Sequence, residues 1–426
     1  MSILLILTQG VLLFCGTQLF PPGGKLDAIR FVCYGLIILG GLLLTPQLKL
    51  KKPRGPDLIA LGILIFAFTS CLYSINPKLT LFRSIANLLM YLAVFWALWI
   101  SCQNSARAYS FVSALISVWI LFYGANLLFL FFRPEDSFII HEGEYLLDEY
   151  QRFTGITISP NAIGEFSAII LPLVLWNFRR VKSLLNLFLV VAVIFSFFYS
   201  FSRDAFICSV VGSSIYFYLS ARPYRVFIIV CAIFSIVFMI LYIELFRLFL
   251  PASLIRVDNL MVLGGRLEAW QAALELIKMH PFRGYGFGIE QLIFPYFGYE
   301  FLIHSGTYIH NCFLGLALQL GWIAALAFYI PLVVFLIRSF VKISRLRSKF
   351  QPFMSALYAC LVAGFLTSFF ESWIYSAGTI LAFPFFTFMM LLMRMFEFHK
   401  SSPIKIEVTD LENGGVPTPQ LLVKAR

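Results

Sequence analysis

Charged residues are scarce in this chain. Only 12% of its 426 residues are Asp, Glu, Lys or Arg, whereas 60% are hydrophobic and 17% are aromatic. This composition excludes a soluble globular domain and predicts a polytopic protein that contacts membrane lipids. The net charge is +11, but the basic residues are scattered between apolar runs instead of forming one basic face, so we expect no nucleic-acid partner.

Common catalytic and metal-binding motifs are also absent. The sequence has no GxxxxGK[ST] phosphate loop, no HExxH, no DxD aspartate pair and no CxxC. Its eight cysteines occur singly, mostly inside apolar runs, which is typical of small buried hydrophobic residues. We therefore expect no disulfide, no zinc site and no cofactor. The chemistry that remains favoured is metal-independent, with arginines neutralising negative charge.

Apolar runs of membrane-spanning length dominate the chain. We predict about twelve transmembrane helices, at 2–20, 27–45, 57–75, 81–101, 108–132, 161–178, 184–201, 204–221, 226–247, 310–337, 352–370 and 376–397. The N-terminal MSILLILTQG lacks the basic region and cleavage site of a signal peptide, so it is interpreted as the first span. The prediction is an all-α transmembrane domain over 1–397 and a disordered tail over 398–426.

The basic residues predict the orientation. They fall in every second connection, which by the positive-inside rule places those connections and both termini in the cytoplasm. The acidic loop 133–160 and the long loop 248–309 then face outward, as do the turns 202–204 and 371–378. The longest interruption of the apolar pattern is therefore predicted to lie outside.

The region from Gly264 to Trp322 is the main candidate for chemistry. It reads GGRLEAWQAALELIKMHPFRGYGFG and, after a polar-aromatic segment, HNCFLGLALQLGW. An apolar stripe and a polar stripe at helical spacing predict an amphipathic helix on the membrane surface, with the apolar face formed by Leu267, Trp270, Leu274 and Ile277. Arg266 opens this helix, where the helix dipole disfavours a cation, so we predict an external anionic partner for it.

A second candidate arginine lies in the segment FSRDAF. Arg203 sits in a very short joint between two apolar runs, close to hydrocarbon, where an arginine usually has a partner or a function. Asp204 is a possible partner, and a snorkelling interfacial arginine is the alternative. In RFTGITISPNAIGEF, turn and cap residues favour a plain helix start, but Glu165 lies one turn inside the span and needs water or a cation.

His310 is the favoured catalytic candidate, although a histidine at a helix start is often only an interfacial residue. Arg203, Arg266 and His310 are all predicted on outward-facing segments at similar depth. Two guanidinium groups can bind a diphosphate, and a neutral imidazole can accept a proton from an attacking hydroxyl. These three residues therefore predict a site that displaces a phosphate-linked leaving group.

Five segments together resemble the bacterial O-antigen ligase and O-antigen polymerase superfamily. They are SINPKLTLFRS at 74–84, RFTGITISPNAIG at 152–164, SRDAF at 202–206, GRLEAWQAALELIKMHPFRGYGFG at 265–288 and HNCFLGLALQLGW at 310–322. The resemblance implies a helical membrane core like that of the GT-C-like lipid-sugar transferases. It also implies a periplasmic active site under the long loop, in a bacterial inner-membrane protein.

The resemblance also implies a reaction and its residues. Such enzymes transfer a glycan from undecaprenyl diphosphate to a hydroxyl of lipid A-core or another glycan acceptor, without a metal and with inversion. Arg203 and Arg266 match the diphosphate-binding arginines and His310 matches the base. Asp204 stands where a small residue is usual. The residues further predicted to bind substrate are Arg152, Asn161, Arg283 and Asn311.

Two alternatives remain open at this point. A polymerase of the same superfamily would use a second lipid-linked glycan as acceptor, and the motifs do not separate the two activities. A membrane transporter would show an inverted repeat and broken helices meeting at the middle of the bilayer. We find no internal repeat, and the candidate residues are predicted at the outer boundary instead.

Overall fold

The structure is a computed structural model that describes residues 1–15, 17, 29–44, 56–142, 149–221, 229, 233, 266–301 and 308–401. The predicted span 226–247, except for Ile229 and Ile233, therefore lies outside the described residues, as do the loop segment 248–265 and the tail after Ser401. The helices are α1 Ser2–Phe14, α2 Ile29–Leu44, α3 Pro56–Ser70, α4 Pro77–Tyr91, α5 Trp99–Ser101, α6 Ser105–Phe132, α7 Pro160–Arg180, α8 Leu184–Tyr199, α9 Arg203–Ser220, α10 Arg266–Met279, α11 Glu290–Tyr296, α12 Cys312–Arg345, α13 Gln351–Thr367 and α14 Ala382–Ser401.

The chain is a mostly helical multi-pass membrane protein. Among the described residues, four stretches are long and apolar enough to cross a membrane, namely Pro77–Ser101, Ser105–Phe132, Pro160–Arg180 and Cys312–Arg345. In the first of these, a π-helical segment, Leu92–Leu98, joins α4 to α5. Helices α1, α2, α3, α8 and α13 are shorter apolar helices. The number of twelve spans stays a prediction.

Two predicted spans differ from the observed helices. The last was predicted from 376, but α14 begins at Ala382, because residues 371–381 form consecutive turns whose apolar side chains, such as Trp373 and Ile374, are buried. Helix α12 is also broken at Gly321, whose φ is 84°. A side chain there would lie 2.4 Å from the Phe282 carbonyl carbon, so the break makes room for the loop that follows α10.

The acidic loop 133–160 contains a small sheet that the sequence did not predict. Strands β1 (Phe138–Glu142) and β2 (Glu149–Phe153) pair antiparallel, with Phe138 opposite Phe153 and Ile139 opposite Arg152. Residues 154–159 connect β2 to the start of α7. The hairpin thereby fixes the position of Arg152 relative to that helix.

The helices arrange the candidate residues at one end of the molecule. Helix α7 packs against α8, α9 and α13. Helices α7, α9 and α12 begin, and α8 ends, near the segments that carry Asn161, Arg203 and His310. The opposite ends of α7 and α12 carry Arg179, Arg180 and Arg345. For the 21 residues of α7 the two ends are roughly 32 Å apart, about the thickness of a bilayer core.

Candidate active site

A single carboxylate, Glu371, connects the segments predicted to carry the site. Its Oε2 lies 2.5 Å from Nδ1 of His310, and its Oε1 accepts hydrogen bonds of 3.1 Å from Nη2 of Arg266 and 3.1 Å from Nδ2 of Asn161. The side chains of Glu371, Arg266 and His310 are 15%, 19% and 26% exposed. The cluster is thus shielded enough to strengthen its electrostatic interactions but still open to a ligand.

His310 lies in an unusual backbone conformation. Its φ is 53°, a left-handed value that is uncommon outside glycine and that often marks a functional site. The neighbouring backbone groups hold this conformation: Ile309 N donates to Glu290 Oε1 at 2.7 Å, Asn311 N donates to Ser372 Oγ at 3.3 Å, and Cys312 N donates to the Ser368 carbonyl at 2.7 Å. The turn therefore positions the imidazole rigidly.

The bond to Glu371 defines what the imidazole can do. A neutral histidine that donates its Nδ1 proton to a carboxylate keeps Nε2 as an acceptor, a tautomer that we infer from this hydrogen bond. The carboxylate also stabilises the imidazolium that forms when Nε2 takes a proton. The His310–Glu371 pair can therefore act as a general base towards a hydroxyl.

Arg152 and Asn161 hold the Glu371 carboxylate in place through a series of hydrogen bonds. Arg152 is 4% exposed. It donates from Nε to the Ser200 carbonyl at 2.8 Å and from Nη2 to Asn161 Oδ1 at 2.6 Å. Since Asn161 in turn donates to Glu371, the guanidinium joins β2, the end of α8 and the start of α7 to the cluster. Their predicted role in substrate binding stays a prediction, while the observed contacts give both a positioning role.

Arg266 opens α10 as predicted, and it forms an ion pair with Glu371 of the same chain. The external anionic partner predicted for it stays a prediction. The predicted apolar face of α10 is partly wrong. Leu267 and Leu274 are exposed, and the buried face consists mainly of alanines, with Ala269, Ala272, Ala273, Leu276 and Ile277. Small side chains let α10 pack closely on α12, and Trp270 Nε1 donates to the Ile309 carbonyl at 2.9 Å, next to His310.

Arg203 begins α9 directly after the tight turn at Ser202. The hydrogen bonds and ion pairs among described residues do not connect Arg203 to Glu371. Asp204 accepts a 2.5 Å hydrogen bond from Ser202 Oγ through Oδ1, and its Oδ2 is buried without a hydrogen-bond partner among the described residues. Glu165 is only 1% exposed. Its Oε1 is buried without a hydrogen-bond partner among the described residues, so the water or cation that this carboxyl was predicted to need stays a prediction.

Two other predicted residues have different surroundings. Arg283 is exposed in the loop after α10, with its guanidinium 5.9 Å from the centre of the Tyr73 ring, and no described contact joins it to Glu371. Asn311 is buried and caps α12, because its Oδ1 accepts a 3.0 Å hydrogen bond from Leu314 N. Neither arrangement tests the substrate-binding role predicted for these residues.

The sequence reasoning missed both glutamates that hold the histidine turn. Glu371 was assigned only to an outward turn, although it is the sole charged residue between Gln351 and Met393, a signal that could have identified it. Glu290 is 4% exposed and accepts from Ile309 N at 2.7 Å, from Ser372 Oγ at 2.9 Å and from the Tyr375 hydroxyl. Burial raises the pKa of Glu290, and these hydrogen bonds partly oppose that effect.

Comparison with known families decides the class of this protein. Residues 187–329 match the family model described as O-antigen ligase. The matched segment is thus similar to the O-antigen ligase family. The resemblance drawn from the sequence is thereby confirmed, and the match indicates a membrane glycosyltransferase-type enzyme of the ligase and polymerase class, with a lipid-linked glycan donor and a glycan acceptor.

The matched segment covers only part of the cluster. It includes Arg203, Arg266 and His310, whereas Asn161 and Glu371 lie outside it. The cluster thus includes hydrogen bonds between the matched segment and the residues that flank it. No curated protein matches the chain.

Proposed function

We propose that this protein transfers a glycan from undecaprenyl diphosphate to a hydroxyl of lipid A-core or a comparable glycan acceptor. The observation that carries the proposal is the Glu371 cluster, in which a general base and a diphosphate-binding side chain share one carboxylate. His310 would remove the proton of the acceptor hydroxyl, and the resulting oxygen would attack the anomeric carbon opposite the departing diphosphate. This attack inverts the configuration at that carbon.

The arginines would stabilise the leaving diphosphate. Arg266 has five N–H donors, and the ion pair with Glu371 engages Nη2, so its other donors can bind phosphate oxygens. Arg203 would contribute a second guanidinium from the start of α9. Such a clamp neutralises the charge that develops on the leaving group and favours a metal-independent reaction.

The charge distribution supports a periplasmic site in an inner-membrane protein with cytoplasmic termini. The cluster lies at the start of α7 and α12, and the basic residues lie at the far ends of the same helices. Since basic helix ends favour the cytoplasm, the cluster would lie on the opposite side of the membrane. We propose likewise that the whole described bundle forms one transmembrane domain that ends near α14.

Reconstitution tests this proposal. The purified full-length protein in proteoliposomes would be supplied with an undecaprenyl-diphosphate-linked glycan and either lipid A-core or a second lipid-linked glycan, with and without a chelator. We expect transfer to lipid A-core, an inverted linkage and no effect of the chelator. Elongation of the lipid-linked glycan alone would instead assign a polymerase, and no transfer to either acceptor would refute the proposal.

A further inference from the structure

A polar cavity lies next to the turn that carries His310. Its volume is about 60 Å³, and its lining includes Arg83, Glu290, Tyr308 and Ser372. Tyr308 precedes His310 by two residues and Ser372 follows Glu371 directly, so the cavity and the candidate active site share these segments. The space is large enough for a few water molecules or one small charged group.

Arg83 is the cation of this cavity, and its stem is fixed. It lies in α4 and packs against Gly288, where an added Cβ would lie 2.6 Å from the Arg83 Cβ. Gly288 also has a φ of 74°, so both the backbone and the close contact favour glycine at this position. The loop after α10 is thus shaped to admit the Arg83 side chain.

The guanidinium of Arg83 lacks a counter-ion among the described residues. Its Nε is buried and has no hydrogen-bond partner there, and the ion pairs of the described residues do not include it. The carboxyl that lines the cavity, Glu290, is already bound by Ile309 N, Ser372 Oγ and the Tyr375 hydroxyl. Water can satisfy the N–H of this half-buried guanidinium, but only an anion would also balance its charge, which makes Arg83 a suitable site for an oxyanion.

The other lining groups suit the edge of a sugar whose charged substituent enters this small cavity. Asn87 and Gln291 offer amide groups, and Phe31 offers an aromatic surface along the same lining. Planar amides and aromatic rings are suited to hydroxyl groups and to the apolar face of a pyranose. A cation among such groups points to a sugar that carries a negative charge.

We propose that Arg83 binds a phosphate or carboxylate substituent of the acceptor glycan, an inference that rests on the proposed glycan transfer. The donor diphosphate is assigned to Arg266 on the Glu371 side, whereas Arg83 belongs to the cavity lined by Glu290. An acceptor held there would approach His310 from the side of Tyr308 and Ser372. A guanidinium binds either oxyanion through two parallel hydrogen bonds, which also fixes its orientation.

A direct binding experiment tests this site without requiring turnover. Full-length wild-type protein, Arg83→Gln and Arg83→Lys in detergent micelles would be titrated calorimetrically with glucose 6-phosphate, glucuronate and glucose. The matched control is Arg133→Gln, since Arg133 is an exposed arginine whose Nη1 lies 3.3 Å from Asp136 on a loop predicted to face the same side. Thermal unfolding of each variant would establish that it is folded.

The expected result is that a charged sugar binds wild-type protein and that Arg83→Gln weakens this binding about tenfold or more, which corresponds to losing one charge-assisted contact. Arg83→Lys should give an intermediate affinity, Arg133→Gln should match wild type, and glucose binding should not depend on Arg83. In the transfer assay, Arg83→Gln should raise the KM of a charged acceptor and leave the KM of the donor unchanged.

Equal affinity of the charged sugars for wild type and Arg83→Gln would overturn the inference. Arg83-dependent binding of inorganic phosphate, or of phosphatidylglycerol in nanodiscs, without binding of either charged sugar would also overturn it and assign a free anion or a lipid headgroup. If wild type transfers no glycan on reconstitution, the proposed reaction fails, whereas the titrations still decide whether Arg83 binds a charged sugar.

Discussion

Glu371 and Glu290 hold the same turn, but in different ways. Glu371 has a side chain that is 15% exposed, and it binds the His310 ring and the Arg266 guanidinium. Glu290 is 4% exposed and binds a backbone N–H and neutral hydroxyl groups. Partners and exposure, rather than residue type, therefore separate a carboxylate that tunes chemistry from one that maintains shape.

His310→Ala is the strongest test of the proposed His310–Glu371 base. Removing the base should lower the rate of glycan transfer by about 10²- to 10⁴-fold, because general-base catalysis contributes on that scale. Expression and membrane insertion should not change, and transfer to lipid A-core would be measured in proteoliposomes. His280→Ala, at a histidine that packs edge-on against Tyr285 outside the cluster, is the control. Full transfer activity in His310→Ala would eliminate the proposed base.

Replacing Glu371 by Gln should have the next largest effect. The substitution keeps the shape but removes the charge that stabilises an imidazolium, so we expect a rate loss of about 10²- to 10³-fold with little change in thermal stability. Glu371→Asp should recover part of the rate. A variant with the wild-type rate would show that Glu371 does not assist His310.

The two arginines should differ from each other when changed to lysine. Arg266→Lys loses the planar guanidinium that can form two parallel hydrogen bonds and disturbs Glu371, so kcat should fall and the donor KM should rise. Arg203→Lys should mainly raise the donor KM. We expect effects of about tenfold, measured as separate kinetic constants, with Arg133→Lys as the control. Wild-type rates with both lysines would argue against a diphosphate clamp.

Glu290→Gln tests whether Glu290 maintains the His310 turn, through the pH dependence of Tm. Because burial raises the pKa of Glu290, the folded protein holds that proton more tightly than the unfolded chain does. The stability contributed by the protonated form is therefore present below the ordinary glutamate pKa of about 4.3 and is lost as pH rises through the raised value. In wild type, Tm should therefore fall as pH rises through this range, and Glu290→Gln should lack this fall. Parallel curves of Tm against pH for wild type and Glu290→Gln would contradict the raised pKa of Glu290.

The smallest effect is expected at the cap of α12. Asn311→Ala should destabilise the protein by about 1 kcal/mol, since the cap bond to Leu314 N is lost. Asn311→Asp keeps the cap and should restore Tm. If Asn311→Asp restores Tm but not transfer, the predicted role of Asn311 in substrate binding is supported, and full recovery of transfer would leave it with the cap alone.

Local features of the site were predictable because they depend on short stretches of chain. The tight turn before Arg203 and the start of α10 at Arg266 follow from turn and hydropathy patterns. The apolar face of α10 was misassigned because hydropathy favours leucine, while close packing on α12 favours alanine. The β-hairpin was not predicted because only the acidic charge of loop 133–160 was considered.

The sequence by itself determined that this chain is a helical membrane protein, since hydropathy is a property of consecutive residues, and its motifs pointed to His310, Arg203 and Arg266 as the chemically important side chains. Only the tertiary structure decided that His310 and Arg266 meet at Glu371 and that Arg83 lines a cavity next to them. The reason is physical: residues from remote helices meet through packing, and the partner of a charge depends on which helix ends lie together.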